Sequence, residues 1–322
     1  MKYRKLGKTG IEVSEIGYGA WGIGGKQWLG GDDISSLSAL QRAIDLGLNF
    51  IDTALAYNDG HSETLVGQVA REAGHKIWLA TKIPPKNRIW PAAPGIGIEE
   101  VFPYDYAIES TETSLRNLGV EQIDLQQFHV WNPIWFFQDD WRRAIEDLKK
   151  SGKVKHFGIS INDHQPESAL DAVSSGLIDT VQVIYNVFEQ SPERWLFPAC
   201  IEHNVGVLAR VPLDEGSLTG ALKADTTFEP EDFRAWYFRD GRINDVIKRV
   251  ADLEKATADI KGTLAQRALR FILTSDAVSV AIPGMRRNST VESNCAVSDL
   301  GPLSPDELEI MRHHVWLKNY YR

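Results

Sequence analysis

The sequence predicts an α/β fold in which residues 1–322 form a single (β/α)8 TIM barrel, with an N-terminal hairpin and extra helices near the C-terminus. Three observations support this prediction. From residue 16 onward, short β-branched or apolar runs alternate with longer segments of helical period, and eight such pairs can be counted. The 322 residues are 43% hydrophobic and 25% charged, which is enough for one large core. No glycine-rich turn with a ribose-binding acid follows the first strand, which disfavours a doubly wound sheet.

The positions of the elements follow from residue types and periodicity. Helical segments repeat apolar residues at three- and four-residue intervals, and several end at a glycine such as Gly119 or Gly152. Residues 3–13 hold a Lys-Thr-Gly turn between two extended pieces, which predicts a hairpin at the bottom of the barrel. Longer insertions at 83–103 and 212–242 follow strands and are expected over the catalytic face. The predicted strands are 16–19, 50–53, 77–81, 123–128, 154–159, 180–184, 206–209 and 278–282, and the clearest helices are 34–46, 106–118, 139–150 and 263–274.

Composition excludes several classes of protein. The chain has 35 basic and 44 acidic residues and a formal charge of -9, with no basic stripe, so nucleic acid is not an expected partner. The N-terminus MKYRKLGKTG lacks the apolar core of a secretion signal, and no apolar run is long enough to span a bilayer, which predicts a cytoplasmic protein without a membrane partner. Cys200 and Cys295 are too few for a disulfide framework, and the histidines show no metal-ligand spacing, so no metal is expected. A homo-oligomer is left open.

Four polar residues, Asp52, Tyr57, Lys82 and His129, fall at or just past the carboxyl ends of predicted strands. Barrel enzymes keep their catalytic groups at this end. Taken singly, each has an ordinary structural role as a cap, a rim aromatic, a solvated charge or a core histidine. Together they predict an acid site, because a Lys ammonium beside a phenol lowers the pKa of Tyr57 and a carboxylate holds the Lys in place. A neutral histidine within reach of the same oxygen orients a carbonyl.

The sequence resembles the aldo-keto reductase superfamily over nearly its whole length. The resemblance is carried by FIDTALAYNDGHSETLVG (50–67), LATK (79–82), DLQQFH (124–129) and IPGMRRNSTVESN (282–294). It implies an NADPH-dependent oxidoreductase that reduces aldehyde, ketone or sugar carbonyls to alcohols. It also implies that Tyr57 is the proton donor, that Lys82 and Asp52 adjust the acidity of its hydroxyl, and that His129 orients the substrate. Steroid double-bond reductases of the superfamily carry Glu at the position of His129, so carbonyl reduction is favoured.

The resemblance also implies which residues hold the nicotinamide half of the cofactor, with Asp52 beside the ring. Ser160 and Gln182 match amide-binding positions, whereas Ile161 replaces the usual Asn and leaves the role of Asn162 open. Arg210 replaces an aromatic residue that stacks under the nicotinamide, and both stacking and an ionic contact with pyrophosphate or a carboxylate are open to it. Two residues of the following loop, Leu213 and Ser217, are similar to a segment that covers the pyrophosphate.

The adenosine half is expected near residues 282–294. A strand that runs into a helix there places backbone amides, including that of Gly284, and two Arg residues near a phosphate. Arg286 is expected to bind the 2′-phosphate, with Arg287 as the second candidate. In the superfamily a pair of residues contacts the adenine, and Asn294 matches the second residue of that pair. Thr290 stands where the superfamily often has Arg or Gln, so NADH use remains open.

Aromatic residues are expected to shape the substrate pocket, since the chain has ten Trp. Trp21 and Trp131 follow predicted strands beside Tyr57 and His129 and are predicted to line it. One alternative function is that of a cofactor-binding regulatory subunit, because potassium-channel β-subunits resemble this chain in the four polar residues. Another is an aldolase using Lys82 as a Schiff-base nucleophile, in which Tyr57 would have no role.

Overall fold

Eight parallel strands follow one another around a closed barrel in the computed structural model, which describes residues 1–23, 25 and 27–322. Each strand pairs with the next in chain order. Parallel bridges from Ile16 to Ala281 and from Gly19 to Gly284 join the first strand to the last and close the ring. The barrel strands are β3 (Tyr18–Gly19), β4 (Phe50–Asp52), β5 (Trp78–Ile83), β6 (Ile123–Phe128), β7 (Val154–Ser160), β8 (Thr180–Ile184), β9 (Gly206–Arg210) and β10 (Val278–Ala281).

Burial on both faces explains the composition of these strands. Every residue of β6 and β8 is buried, as expected for parallel strands with a packed interior on one side and helices on the other. The predicted bounds of these two strands are confirmed. The first predicted strand is shorter than expected, because Ile16 forms only an isolated bridge and regular pairing begins at Tyr18. The third extends to Ile83, which pairs with Phe128.

Helices surround the barrel and bury one face each. In α5 the buried residues Trp141, Ala144, Ile145 and Leu148 recur at intervals of three and four, as the sequence predicted. The helices are α1 (Asp33–Asp45), α2 (His61–Glu72), α3 (Ile98–Val101), α4 (Tyr104–Leu118), α5 (Asp140–Lys150), α6 (Leu170–Ser174), α7 (Leu196–Glu202), α8 (Phe233–Tyr237), α9 (Arg242–Ala256), α10 (Leu264–Thr274), α11 (Asn288–Cys295), α12 (Val297–Leu300) and α13 (Pro305–Arg312).

A two-stranded antiparallel hairpin covers the amino-terminal end of the barrel. It consists of β1 (Tyr3–Lys5) and β2 (Glu12–Ser14), joined by a short helical turn, which confirms the predicted hairpin. Its apolar side chains pack against those that fill the lower barrel. The approach is close: a side chain on Gly7, which has a φ of 51°, would place its Cβ 2.3 Å from the Gly206 backbone nitrogen. The packed residues are Leu6, Ile11, Val13, Phe50, Ala80, Leu125, Leu208, Val280 and Ile282.

The opposite end of the barrel carries the two predicted insertions. The first contains α3 and the second contains α8, and both lie after strands at the carboxyl end. The extra helices predicted near the C-terminus are α11, α12 and α13. Within the described part of the chain, none of the helices combines the length and the apolar character needed to cross a bilayer.

Candidate active site

The four predicted catalytic side chains meet at the carboxyl end of the barrel. Asp52 ends β4, Lys82 lies in β5, Tyr57 follows β4 and His129 follows β6. Lys82 Nζ donates hydrogen bonds to Asp52 Oδ2 at 2.5 Å, to the Thr53 carbonyl at 2.8 Å and to the Tyr57 hydroxyl at 3.3 Å. All three ammonium protons of Lys82 are therefore used, and one of them fixes the phenol oxygen.

Two glutamines hold the carboxylate that anchors this lysine. Asp52 Oδ1 accepts hydrogen bonds from Gln182 Nε2 at 2.8 Å and from Gln127 Nε2 at 3.3 Å. Gln182 also donates to Gln127 Oε1 at 3.3 Å. Because both carboxylate oxygens are bonded and the group is only 2% exposed, the ion pair is rigid and largely excluded from water.

The electrostatics of the tyrosine differ from the sequence prediction. Burial raises the pKa of Tyr57, and the Lys82 ammonium offsets this only in part, while the Asp52 charge adds to it. Lys82 thus acts in the predicted direction, but the predicted net lowering of this pKa is wrong, because the cost of burying a phenolate exceeds the attraction of one paired lysine. Burial acts to lower the pKa of Lys82, but Asp52 and Tyr57 outweigh it, so this pKa is raised and the lysine stays charged.

The fourth residue, His129, is neutral at physiological pH. Burial lowers its pKa well below the ordinary value, with further contributions from the Lys82 and Arg210 charges. Its ring meets that of Tyr57 edge to face at a centroid distance of 5.7 Å. Its Nδ1 is buried and has no hydrogen-bond partner among the described residues. A neutral imidazole beside the Tyr57 ring can donate a hydrogen bond to a substrate without adding a charge.

These groups open into a cavity of about 810 Å³ at the mouth of the barrel. This volume lies within the range of small-molecule and cofactor sites. Trp21 lines the cavity as predicted, and its ring stacks on that of Tyr57 at 6.3 Å. Trp90, from the first insertion, also lines it and meets His129 at 5.8 Å.

Trp131 does not line this cavity, so its assignment to the substrate pocket is wrong. Its side chain is fully buried among Trp135 and Trp141, at ring centroid distances of 6.0 and 5.4 Å. His129 lines the cavity, whereas the Trp131 ring, two residues further along the chain, packs in the hydrophobic core. Spacing along a strand end does not reveal this direction, because regular alternation stops where the strand stops.

Arg210, the last residue of β9, lines the cavity and is held by a carboxylate. Its Nη2 donates to Asp163 Oδ1 at 2.7 Å and to the Ile161 carbonyl at 3.1 Å. Asp163 was not predicted as a site residue, since its place after β7 was its only signal. The neighbouring Asn162 joins the first insertion to the barrel, since its Oδ1 accepts from the Ala92 amide at 3.1 Å.

Most of the predicted cofactor residues border the same cavity, but two do not. Asp52, Ser160, Gln182, Arg210, Leu213, Gly284, Arg286 and Thr290 line it. Ser217 is buried away from it, and its hydroxyl donates to the Asp214 carbonyl at 2.7 Å. Asn294 is buried in α11 and does not border the cavity, and its Nδ2 lacks a partner in the described chain. Ser217 and Asn294 therefore do not border this cavity, and their assignment to the cofactor stays a prediction.

The two predicted phosphate-binding arginines have different surroundings. Arg286 Nη1 donates to the Leu29 carbonyl at 2.7 Å, which ties the loop after β3 to the segment after β10. Burial and the nearby Arg234 charge lower the pKa of Arg286. Arg287 is exposed at the cavity rim, immediately before α11. Both guanidinium groups and the start of α11 thus border one end of the cavity. Their positive charge and the helix amides favour the binding of anions at this end.

A strained loop after β9 forms another part of the wall. Val211, Asp214 and Glu215 have φ angles of 52°, 48° and 55°. Such left-handed conformations cost non-glycine residues roughly 1–3 kcal/mol each and persist only where the surroundings enforce them. Two C-terminal residues absent from the sequence prediction contact this loop, namely Lys318 and Tyr321.

Comparison with known proteins agrees with this geometry. The sequence model described as the Aldo/keto reductase family matches residues 15–315. A curated relative, Aldo-keto reductase YhdN of Bacillus subtilis, is 30% identical over 318 residues, covering 96% of this chain and 92% of the relative. A probable voltage-gated potassium channel subunit beta of Arabidopsis thaliana is 28% identical over 321 residues, covering 94% of this chain and 93% of the relative.

Solved structures share the fold over nearly the same length. The glycerol dehydrogenase AKR11B4 from Gluconobacter oxydans superposes with a TM-score of 0.78 at 29% identity, covering 97% of this chain and 94% of that one. The family match spans the barrel, the four central side chains and the segment after β10. The chain therefore belongs to the aldo/keto reductase family of oxidoreductases, which use nicotinamide cofactors.

Proposed function

We propose that this protein reduces aldehyde or ketone carbonyls, including those of sugars, to alcohols with NADPH, and that Tyr57 donates the proton. The observation that supports this most directly is the Lys82 ammonium bonded to the Tyr57 hydroxyl at 3.3 Å, at the floor of the cavity. A cation at this distance lowers the energy of the phenolate left after proton donation. The pair is fixed before any substrate arrives, because Asp52 and the Thr53 carbonyl hold the same ammonium.

The carbonyl oxygen of the substrate is proposed to lie between Tyr57 and His129. Tyr57 donates its proton to this oxygen as negative charge develops there, and Lys82 stabilises the resulting phenolate. His129 is neutral, so it donates a hydrogen bond without drawing the proton back from the product. Trp21 and Trp90 cover the sides of this position and limit the access of water.

The described residues fit a nicotinamide dinucleotide. The cavity extends from Tyr57 and His129 to Arg286 and Arg287, so it offers a polar reaction end and a cationic end. Bound NADPH would supply a hydride to the carbonyl carbon. Ser160 and Gln182 would hold its carboxamide. The two arginines and the start of α11 would hold its phosphates, and Arg286 is proposed to bind the 2′-phosphate.

Tyr57→Phe tests this proposal. It removes one hydroxyl at the cavity floor, and we expect turnover of a carbonyl substrate to fall by at least about a hundredfold, since a placed acid contributes roughly 10²–10⁴. Cofactor affinity should change little, because the phenyl ring and Asp52 remain. The assay follows NADPH absorbance across a panel of aldehydes, ketones and sugars, with NADH in parallel.

Tyr104→Phe is the matched control, because it also removes a single phenol hydroxyl, here one that donates to Asp147 Oδ2 from α4, outside the cavity. Unchanged turnover in Tyr57→Phe would contradict the assignment. The similarity to the Arabidopsis channel subunit favours one other candidate, a cofactor-binding regulatory subunit. Tight NADPH binding without steady turnover of any carbonyl in the panel would support that candidate instead.

A further inference from the structure

The last ten residues cross the mouth of the barrel and bond to the loop after β9. The Trp316 amide donates to the Phe188 carbonyl at 2.9 Å and thereby fixes the path of the segment. Lys318 Nζ then donates to both oxygens of Asp214, at 2.8 and 2.9 Å, and to the Tyr237 hydroxyl at 2.9 Å. Tyr321 donates its hydroxyl proton to Glu215 Oε1 at 2.5 Å.

These contacts fall on the strained part of the loop. Asp214 and Glu215 both have left-handed φ angles, and Gly216 follows with a φ of 95°. Their carboxylates are the groups that the C-terminal segment binds. Because left-handed conformations at non-glycine residues need enforcement by their surroundings, Lys318 and Tyr321 are positioned to supply it.

The pair formed by Lys318 and Asp214 is buried, with side-chain exposures of 6% and 7%. Removing one partner from a buried ion pair leaves the other charge without compensation, so the loop would have to move to hydrate Asp214. Leu213, Glu215, Gly216 and Thr219 of this loop line the cavity, and Tyr321 lines it beside Arg210. A change in loop position therefore changes the wall of the cavity itself.

We propose that Lys318 and Tyr321 are positioning residues for cofactor retention, which act by holding the 213–219 loop in the strained conformation that closes over the bound dinucleotide. This inference rests on the proposed function, since it assigns the cavity to a nicotinamide cofactor. It predicts that cofactor leaves slowly while the C-terminal segment is bonded and rapidly when Asp214 or Glu215 loses its partner. The chemical step at Tyr57 is not involved.

The experiment measures NADPH dissociation from the full-length protein by stopped-flow fluorescence, together with the equilibrium Kd. Lys318→Met keeps the aliphatic stem and removes the charge, whereas Tyr321→Phe keeps the ring and removes only the hydroxyl. We expect each to raise the dissociation rate by about tenfold or more, as for loss of a buried charge-assisted hydrogen bond. Lys318→Arg retains the charge and should restore slow release in part.

Leu317→Ala is the matched control, because this side chain is 80% exposed in the same segment. It should leave the dissociation rate unchanged. All rates are measured well below the unfolding temperature of each variant, so a merely structural role would lower the Tm without changing release. Equal dissociation rates in the wild type and Lys318→Met would overturn the inference while leaving the proposed function intact. A wild-type protein that binds neither NADPH nor NADH would instead refute the proposed function, and the inference with it.

Discussion

Replacing Lys82 by Met removes the one cation among the described residues that contacts the Tyr57 hydroxyl. With the Nζ and phenol oxygen 3.3 Å apart, a unit charge on each interacts by about 5 kcal/mol at an effective dielectric constant of roughly 20. Only part of this is realised in the transition state, where the proton is incompletely transferred. We therefore expect kcat to fall by about 10²–10⁴, the range for general acid catalysis, with a smaller effect on cofactor affinity.

The same substitution leaves the Asp52 carboxylate buried beside two glutamine amides. Loss of one partner from a buried pair costs about 3–5 kcal/mol of stability, so chemical denaturation must accompany the kinetics. The double variant Asp52→Asn/Lys82→Met removes both charges and should recover much of the stability without recovering turnover. If Lys82→Met retained kcat within a factor of about ten while folded, the proposed role of the ammonium would be refuted.

Two further predictions concern the cofactor end and the loop. Arg286→Ala should raise the KM for NADPH much more than that for NADH, as measured in parallel titrations. Equal increases would show that Arg286 does not bind the 2′-phosphate and would leave Arg287 as the candidate. Glu215 carries a pKa raised by burial from 4.5 to about 7. A carboxyl whose pKa is raised on folding stabilises the fold below its unfolded pKa, and this stabilisation, about 3 kcal/mol, is lost as pH rises from 4.5 through 7. Glu215→Gln should flatten the pH dependence of the unfolding free energy across this window, and an unchanged slope would argue against a buried carboxyl.

The barrel was predictable because its signals are local and repeated. Strands such as β6 and β8 are short runs of mainly apolar and amide-bearing residues, and their bounds agree with the prediction. The positions of Asp52, Lys82 and His129 followed from the same logic, since parallel strands bring their carboxyl ends together. The pKa of Tyr57 could not be predicted in this way, because its direction depends on how far burial outweighs one paired charge.

The parts of the site that the sequence missed depend on where irregular segments lie. Asp163, Glu215, Lys318 and Tyr321 are brought together by two loops and the C-terminal segment, none of which has a periodicity that fixes its direction. Trp131 was misassigned for the same reason, because it lies beyond the last paired residue of β6. For Lys318 and Tyr321 the available signal was the aromatic and basic character of residues 318–322, KNYYR.

Six of the ten tryptophans form two groups whose positions have a spectroscopic consequence. Trp131, Trp135 and Trp141 form a buried cluster away from the cavity, whereas Trp21, Trp28 and Trp90 border it. Indoles in apolar surroundings emit at shorter wavelengths than those that contact water. A molecule entering the cavity should therefore quench the emission of Trp21, Trp28 and Trp90 and leave that of the buried cluster as an internal reference, so that occupancy can be followed without a label.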